Sequence, residues 1–379
     1  MHHFRVKTEK GVYPVTVGLG AWKELRRLGA RNYSSVFILT ESVIWNHWGE
    51  RFRRDSGLSG AQVLRVPGGE GSKSFAQAAR VARGLLKQGA DRRSLLVLFG
   101  GGVIGDLGGF AASTYMRGID CVQVPTTLVG QVDSAVGGKT AVNLDATKNL
   151  VGTFYPPRMV LADPAVLASL AGRIFRSGLY EVAKHAILAG PAFFHRLERE
   201  LESLQPKDAA ALEDIVARAV KVKVDVVNRD EREASLRQVL NLGHTFGHAL
   251  EAATGYQRFL HGEAVGWGLL AITLLAERLG YLKPPAGRAR PPGQGSRLAG
   301  TSDAERVRRL IRRIGPLPSI RDVSPRTISR LLIHDKKAVA GEIHWVIPER
   351  IGKVRVVTGI PLATAEAVWR ELQRSVDTP

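Results

Sequence analysis

The chain has 379 residues, 44% hydrophobic and 23% charged, a balance that fits soluble globular folding with room for two cores and excludes a disordered chain. Its single cysteine, Cys121, excludes a disulfide framework and any site needing several thiolates, so a metal would have to find His, Asp or Glu. Lys and Arg outnumber Asp and Glu by 54 to 35, a formal charge of +19. That admits a small anion or nucleic acid as partner, but no basic stretch is interleaved with aromatics as single-strand binding requires, and no nucleic acid partner is expected.

Residues 1–10 lack the apolar core of a signal peptide, and no run approaches the roughly 20 apolar residues that span a bilayer, so the chain reads as cytoplasmic with no membrane partner. Short apolar, β-branched runs at 36–39, 63–66, 95–99 and 122–124 alternate with helical patterns such as 76–86, which predicts a parallel sheet with helices on its faces. Between the third run and the next helical pattern lies Gly100-Gly101-Gly102-Val103-Ile104-Gly105-Asp106, with the spacing Gly-x-Gly-x-x-Gly. Such glycines let backbone approach a pyrophosphate at a helix N-terminus, although the usual dinucleotide fingerprint follows the first strand of its domain. Gly137-Gly138-Lys139-Thr140 resembles the end of a P-loop, but Asp133 stands where that motif needs its first glycine, which argues against a nucleoside triphosphatase. Residues 137–153, with Lys139 and Lys148 among Gly, Thr and Asn, suit a polar anion; a solvated loop is the alternative.

From about residue 164 apolar residues recur at helical spacing through 215–227, 240–253 and 264–279, predicting a helical second domain. Here Asn241-Leu242-Gly243-His244-Thr245-Phe246-Gly247-His248 is followed by His261-Gly262-Glu263. Two histidines four apart share a helix face, and a third from the next element can close on the same metal. No Glu follows His244, so this is not the zincin pattern; it is a metal or acid/base site. Residues 284–300, rich in Pro, Gly and Arg, read as a mobile surface loop. A capping signal from Ser302 to Glu305 opens a helix whose arginines, 306–313, read as a solvated basic face. Runs at 343–347 and 354–357 predict a late hairpin.

Taken in order and at their spacing, Gly100 through Asp106, Tyr115-Met116-Arg117-Gly118, Pro125-Thr126-Thr127, Gly137-Gly138-Lys139-Thr140, Lys148-Asn149, residues 237–248 and His261-Gly262-Glu263 resemble the 3-dehydroquinate synthase family, over roughly residues 35–360. The resemblance implies an α/β N-terminal domain with a Rossmann-like parallel sheet, residues 1–165, that binds NAD, then a mainly α-helical C-terminal domain, 166–379, that binds metal and substrate. It implies one divalent metal per subunit, zinc or alternatively cobalt, held by Glu181, His244 and His261, with His248 as a hydrogen-bonding or proton-relay group. NAD is expected at Glu41, Glu70, Lys73, Gly101, Gly102, Gly105, Asp106, Thr126, Thr127, Asp133, Lys139 and Lys148. Around a small anionic substrate, 3-deoxy-D-arabino-heptulosonate 7-phosphate, it places Lys139, Asn149, Lys184, Lys223, Glu233, Arg237, Asn241 and Lys336 or Lys337. Arg117 is expected to reach the substrate of a neighbouring subunit in a homodimer. The implied chemistry is oxidation at C5, β-elimination of phosphate, re-reduction, ring opening and aldol closure, with NAD regenerated in each turnover.

Ala171, Gly172, Ile174, Tyr180 and His185 depart from the family pattern around Glu181. Two related readings compete. A cyclase such as 2-deoxy-scyllo-inosose synthase takes a substrate without a carboxylate, against which Arg237, the expected carboxylate clamp, discriminates. A glycerol dehydrogenase-like enzyme would release NADH and has no need of so many anion-binding lysines.

Overall fold

A computed structural model describes residues 1–28, 32–145, 147–282, 301–336 and 342–375. The chain divides into two compact units, Met1–Gly178 with Ser203–Ala234, and Leu179–Glu202 with Ser235–Pro379.

In the first unit the strands are β1 (His2–Thr8), β2 (Gly11–Val17), β3 (Val36–Glu41), β4 (Gln62–Val66), β5 (Leu95–Gly100), β6 (Asp120–Pro125), β7 (Lys139–Leu144), β8 (Thr147–Phe154) and β9 (Met159–Ala162). Seven of them form one sheet in the order β1-β2-β9-β6-β5-β3-β4. Every neighbouring pair is parallel except β1 with β2. The expected parallel sheet is therefore present, with three strands, β1, β2 and β9, that the sequence did not announce. Helices α1 (Leu25–Leu28), α2 (Ser42–Ser56), α3 (Phe75–Lys87) and α4 (Gly102–Thr114) alternate with the strands. β5 is buried along its whole length. Leu95, Val97 and Phe99 pack with Trp22 and with Phe52 of α2, whereas Leu96 and Leu98 pack with Val81 of α3 and Leu107 of α4. A strand covered on both faces needs a continuous apolar run rather than an alternating one, and residues 95–99 supply it.

The segment 137–153, for which a solvated loop was the alternative to an anion-binding segment, forms the antiparallel hairpin β7–β8. α5 (Gly172–Ala189) carries the boundary between the units, and α6 (Pro191–Glu200) follows it in the second. The chain then returns to the first unit with α7 (Ala209–Val227). This differs from the single boundary expected at residue 165, because α7 packs on β1, β2 and the turn at Gly130–Ser134.

The second unit continues with α8 (His244–Ala253), α9 (His261–Arg278), α10 (Asp303–Ile314), α11 (Pro325–Lys336), the hairpin β10 (Trp345–Arg350) and β11 (Lys353–Val357), and α12 (Leu362–Ser375). The expected helix over 240–253 begins only at His244. Leu236–Asn241 is a 3-10 turn, and Gly243, at φ +79°, takes a left-handed conformation that opens the new helix. Phe246 of α8 lies against Trp345 and Trp369, ring centroids 5.3 and 6.2 Å away, and anchors α8 in the core. The basic face expected on α10 is largely paired: Arg306 lies 2.5 Å from Glu198, Arg313 lies 3.0 Å from Glu202, and Arg308 bonds Glu277. The loop expected at 284–300 lies outside the described residues.

Candidate active site

In the first unit the order β4-β3-β5-β6-β9 is that of a doubly wound sheet whose first strand is β3, and its topological switch point lies between β3 and β5. The glycine-rich run leaves β5 at that point, so its position after a later strand is no obstacle to nucleotide binding. Gly101 caps α4, and α4 lies so close to the sheet that a Cβ on Gly108 would come within 2.3 Å of Leu98. Glu41 ends β3 beside the same crevice, its carboxylate 2.6 Å from where a Cβ on Gly68 would stand. Burial raises the pKa of that carboxyl.

Below the crevice Lys73, 4% exposed, places its ammonium 2.7 Å from Asp106 and 3.8 Å from Glu70, and also bonds Asn149. Asn143 bonds Glu70 at 3.0 Å, which ties the β7–β8 hairpin to the loop carrying Glu70 and Lys73. Burial raises the pKa of Asp106, and Lys73 opposes that shift. Asn149, expected at the substrate, thus bonds a residue expected at NAD. Lys139 pairs with Glu233, and Lys223 lies 2.6 Å from Asp133. Thr126, after β6, is fully buried, and its hydroxyl has no hydrogen-bond partner among the described residues. An unsatisfied buried hydroxyl beside the glycine turn fits a polar ligand group there.

Arg117 is exposed at the far end of α4, roughly 20 Å from the glycine turn at 1.5 Å rise per residue. Met116 and Arg117 both have positive φ, 49° and 68°, and strained residues of this kind concentrate at functional sites.

The second unit brings the three expected metal ligands together. Glu181 of α5 is completely buried; its Oε1 lies 3.2 Å from Nε2 of His261 and 3.6 Å from Nε2 of His244. All three ligand atoms fall within 4.8 Å of one another. The ring of His244 turns its Nδ1 to the Leu242 carbonyl at 3.2 Å. The approach depends on bare backbone where α8 meets α9: a Cβ on Gly268 would fall 1.8 Å from the Gly243 carbonyl, and one on Gly247 would fall 3.1 Å from that of Ala264. This is the reason glycines accompany these histidines. Lys184, one turn after Glu181, is buried with its ammonium 2.6 Å from that carboxylate. Burial and Lys184 hold His244 well below the ordinary histidine pKa. For His261, burial is outweighed by Glu251 and Glu181, and its pKa is raised to about 10.

His248 is exposed and stands outside this trio, its ring 5.3 Å from that of His244. Arg237 is 1% exposed and shares the 3-10 turn with Asn241. Gln238 of the same turn meets His344 at 2.9 Å. Tyr180 and His185, which depart from the family pattern, are buried; Tyr180 donates to the Gly315 carbonyl at 3.1 Å and packs on Gly266. Lys336 ends α11, and its side chain, like Lys337, lies outside the described residues. Sequence reasoning missed Glu251, which is 2% exposed with Oε2 3.3 Å from Nδ1 of His261. Its spacing from His244 along α8 was the available signal.

A doubly wound sheet with a glycine turn at its switch point, accompanied by a helical unit holding a buried carboxylate and two imidazoles, is the plan of the sugar phosphate cyclases. The solved structure of 2-epi-5-epi-valiolone synthase from Streptomyces hygroscopicus subsp. jinggangensis is similar at TM-score 0.84 and 28% identity, over 98% of this chain and 100% of that one. A probable glycerol dehydrogenase from Sinorhizobium meliloti shares the fold at TM-score 0.60 and 17% identity, over 96% of this chain and 97% of that one. Within the class, the family descriptions 3-dehydroquinate synthase N-terminal and 3-dehydroquinate synthase C-terminal match residues 63–177 and 178–290. The 3-dehydroquinate synthase of Solibacter usitatus is 39% identical, covering 95% of this chain and 96% of its own length. That of Pelotomaculum thermopropionicum is 41% identical, over 95% and 94%. The chain belongs to the 3-dehydroquinate synthase family.

Proposed function

We propose that the chain is a phosphorus–oxygen lyase of the shikimate pathway, on the way to chorismate and the aromatic amino acids. It converts 3-deoxy-D-arabino-heptulosonate 7-phosphate to 3-dehydroquinate and phosphate. The observation that carries this reading is the Glu181–His244–His261 cluster, with Glu181 and His244 buried and His261 half-buried, in a chain whose relatives of about 40% identity bear that enzyme's name.

Two imidazoles and a carboxylate suit zinc, with cobalt as the alternative, and the valiolone synthase was solved with NAD+ and Zn2+ bound. In the first unit, Glu41 offers a carboxylate to the adenosine ribose, the turn at Gly101, Gly102 and Gly105 receives the pyrophosphate, and Thr126 and Thr127 supply hydroxyls. Glu70, Lys73, Asp106 and Lys148 complete that set. NAD held there would supply reversible hydride transfer, and a metal held by Glu181, His244 and His261 would supply polarisation of a substrate oxygen.

The remaining steps fall to the chain and the substrate. Arg237 clamps the substrate carboxylate with a guanidinium already buried and fixed, and Asn241 adds an amide from the same turn. Lys184 balances the charge of Glu181. Lys139, Lys223 and Asn149 supply positive and polar groups to the anion, with Glu233 and Asp133 orienting the two lysines. The departing phosphate serves as base for its own elimination, so the protein contributes orientation and electrostatics. His248, exposed beside the cluster, holds and relays a proton at its imidazole during ring opening and closure.

No helix among the described residues is long and apolar enough to cross a membrane, and the proposed location is the cytoplasm. The distance of Arg117 from its own glycine turn supports a homodimer in which it serves the neighbouring subunit's substrate. Product analysis by NMR tests the function. The heptulosonate phosphate should give the carbocycle, and glucose 6-phosphate, which lacks the carboxylate, should not react. Cyclisation of glucose 6-phosphate instead would move the chain to a different cyclase.

A further inference from the structure

We propose that Glu251 is the positioning residue of the metal centre, orienting His261 and strengthening it as a ligand without itself touching the ion. The inference rests on the metal reading above and extends it to a side chain outside the ligand set. His244, His248 and Glu251 stand at i, i+4 and i+7 of α8, on one stripe of the helix. Glu251 is 2% exposed, and a carboxylate so enclosed is costly unless it is bonded. Its Oε2 meets Nδ1 of His261 at 3.3 Å, while Nε2 of the same ring meets Glu181 at 3.2 Å. One orientation serves both contacts: Nδ1–H donates to Glu251, and Nε2 faces the position shared with Glu181 and His244, where its lone pair would meet a metal ion.

The two histidine ligands are thus fixed by different means. His244 donates to a neutral carbonyl, whereas His261 donates to a full negative charge. A carboxylate behind a ligating imidazole makes the ring a better donor and fixes its tautomer. His248, Glu251 and His261 also come within 4.8 Å of one another and form an alternative ligand set. The geometry separates the two roles, because Glu251 approaches His261 at the nitrogen turned away from Glu181.

The test compares the unsubstituted protein with E251Q, E251A, H248A and E181Q, each shown folded by circular dichroism. Zinc affinity is measured by chelator competition, and cobalt-loaded protein is followed by its visible spectrum. E251Q, which keeps an acceptor but loses the charge, should bind one metal about 10- to 100-fold more weakly with shifted cobalt bands. E251A should bind more weakly still, and H248A should bind as tightly as the unsubstituted chain. Unchanged affinity and spectrum in E251Q overturn the proposal. Loss of metal in both E251Q and H248A, with retention in E181Q, makes Glu251 a ligand and also overturns it. An unsubstituted chain that takes up no metal contradicts the functional reading itself, which separates the two failures.

Discussion

Lys73 and Asp106 show how single residues carry both stability and function in this chain. The Lys73 ammonium is almost completely buried, and Asp106 is its partner at 2.7 Å. Removing the cation leaves a carboxylate that burial already disfavours, and breaking such a pair costs about 3–5 kcal/mol. Lys73→Met should therefore lose that much in urea unfolding and weaken NAD binding by fluorescence titration; a loss below about 1 kcal/mol would mean that water already screens the pair. At the metal cluster, Glu181→Gln should abolish stoichiometric zinc measured by atomic absorption. Spacing marked His244 and His248 as sharing a helix face and His261 as a third candidate, but only the family resemblance set His248 apart from the two ligands. Glu181 was legible only through family resemblance, because a lone acid in an apolar helix has no periodic signature. Glu251 escaped because a Glu three residues after His248 reads as a solvated position, and its burial depends on α9 closing over it.

The approach of α8 to α9 is what brings His244 and His261 within reach of one ion. Gly268→Ala would push a methyl into the Gly243 carbonyl, and overpacking of this kind costs about 1–3 kcal/mol or more. Thermal unfolding and zinc stoichiometry should both fall, whereas Gly60→Ala, with nothing within 4 Å and an ordinary φ, should stay within about 0.5 kcal/mol. Equal effects of the two substitutions would show that the close crossing does not matter. Tyr180→Phe removes one hydrogen bond to the Gly315 carbonyl and should cost about 0.5–1.5 kcal/mol in urea unfolding, the ring remaining against Gly266. Among the strands, β5 was legible because burial on both faces leaves an unbroken apolar run, and β3, β4 and β6 because short β-branched and apolar runs mark them. β1 and β2 were not: β1 mixes His, Arg, Lys and Thr on a sheet edge, and Pro14 lies inside β2, where proline argues against a strand. The β7–β8 hairpin was hidden by its Gly, Thr and Asn content, the composition of a loop.

Across the whole molecule, the membership of α7 could not be read locally. Its apolar spacing matches that of the other late helices, and only contacts distant in sequence assign it to the first unit. Arginines paired to acids on α6, α9 and the turn after α6 are already offset in the count of 54 basic against 35 acidic residues, and +19 is the unbalanced remainder. What remains favours an anionic substrate, so KM should rise with ionic strength while kcat changes little, as steady-state kinetics between low and high salt will show. The central claim is a closed redox cycle in which NAD is used and restored at a metal centre. Phosphate release from 3-deoxy-D-arabino-heptulosonate 7-phosphate, measured with one NAD per chain before and after chelation, tests it most directly. Many phosphates per NAD, lost on chelation and restored by zinc, are predicted; no release, or NADH accumulating in step with product, would contradict the account.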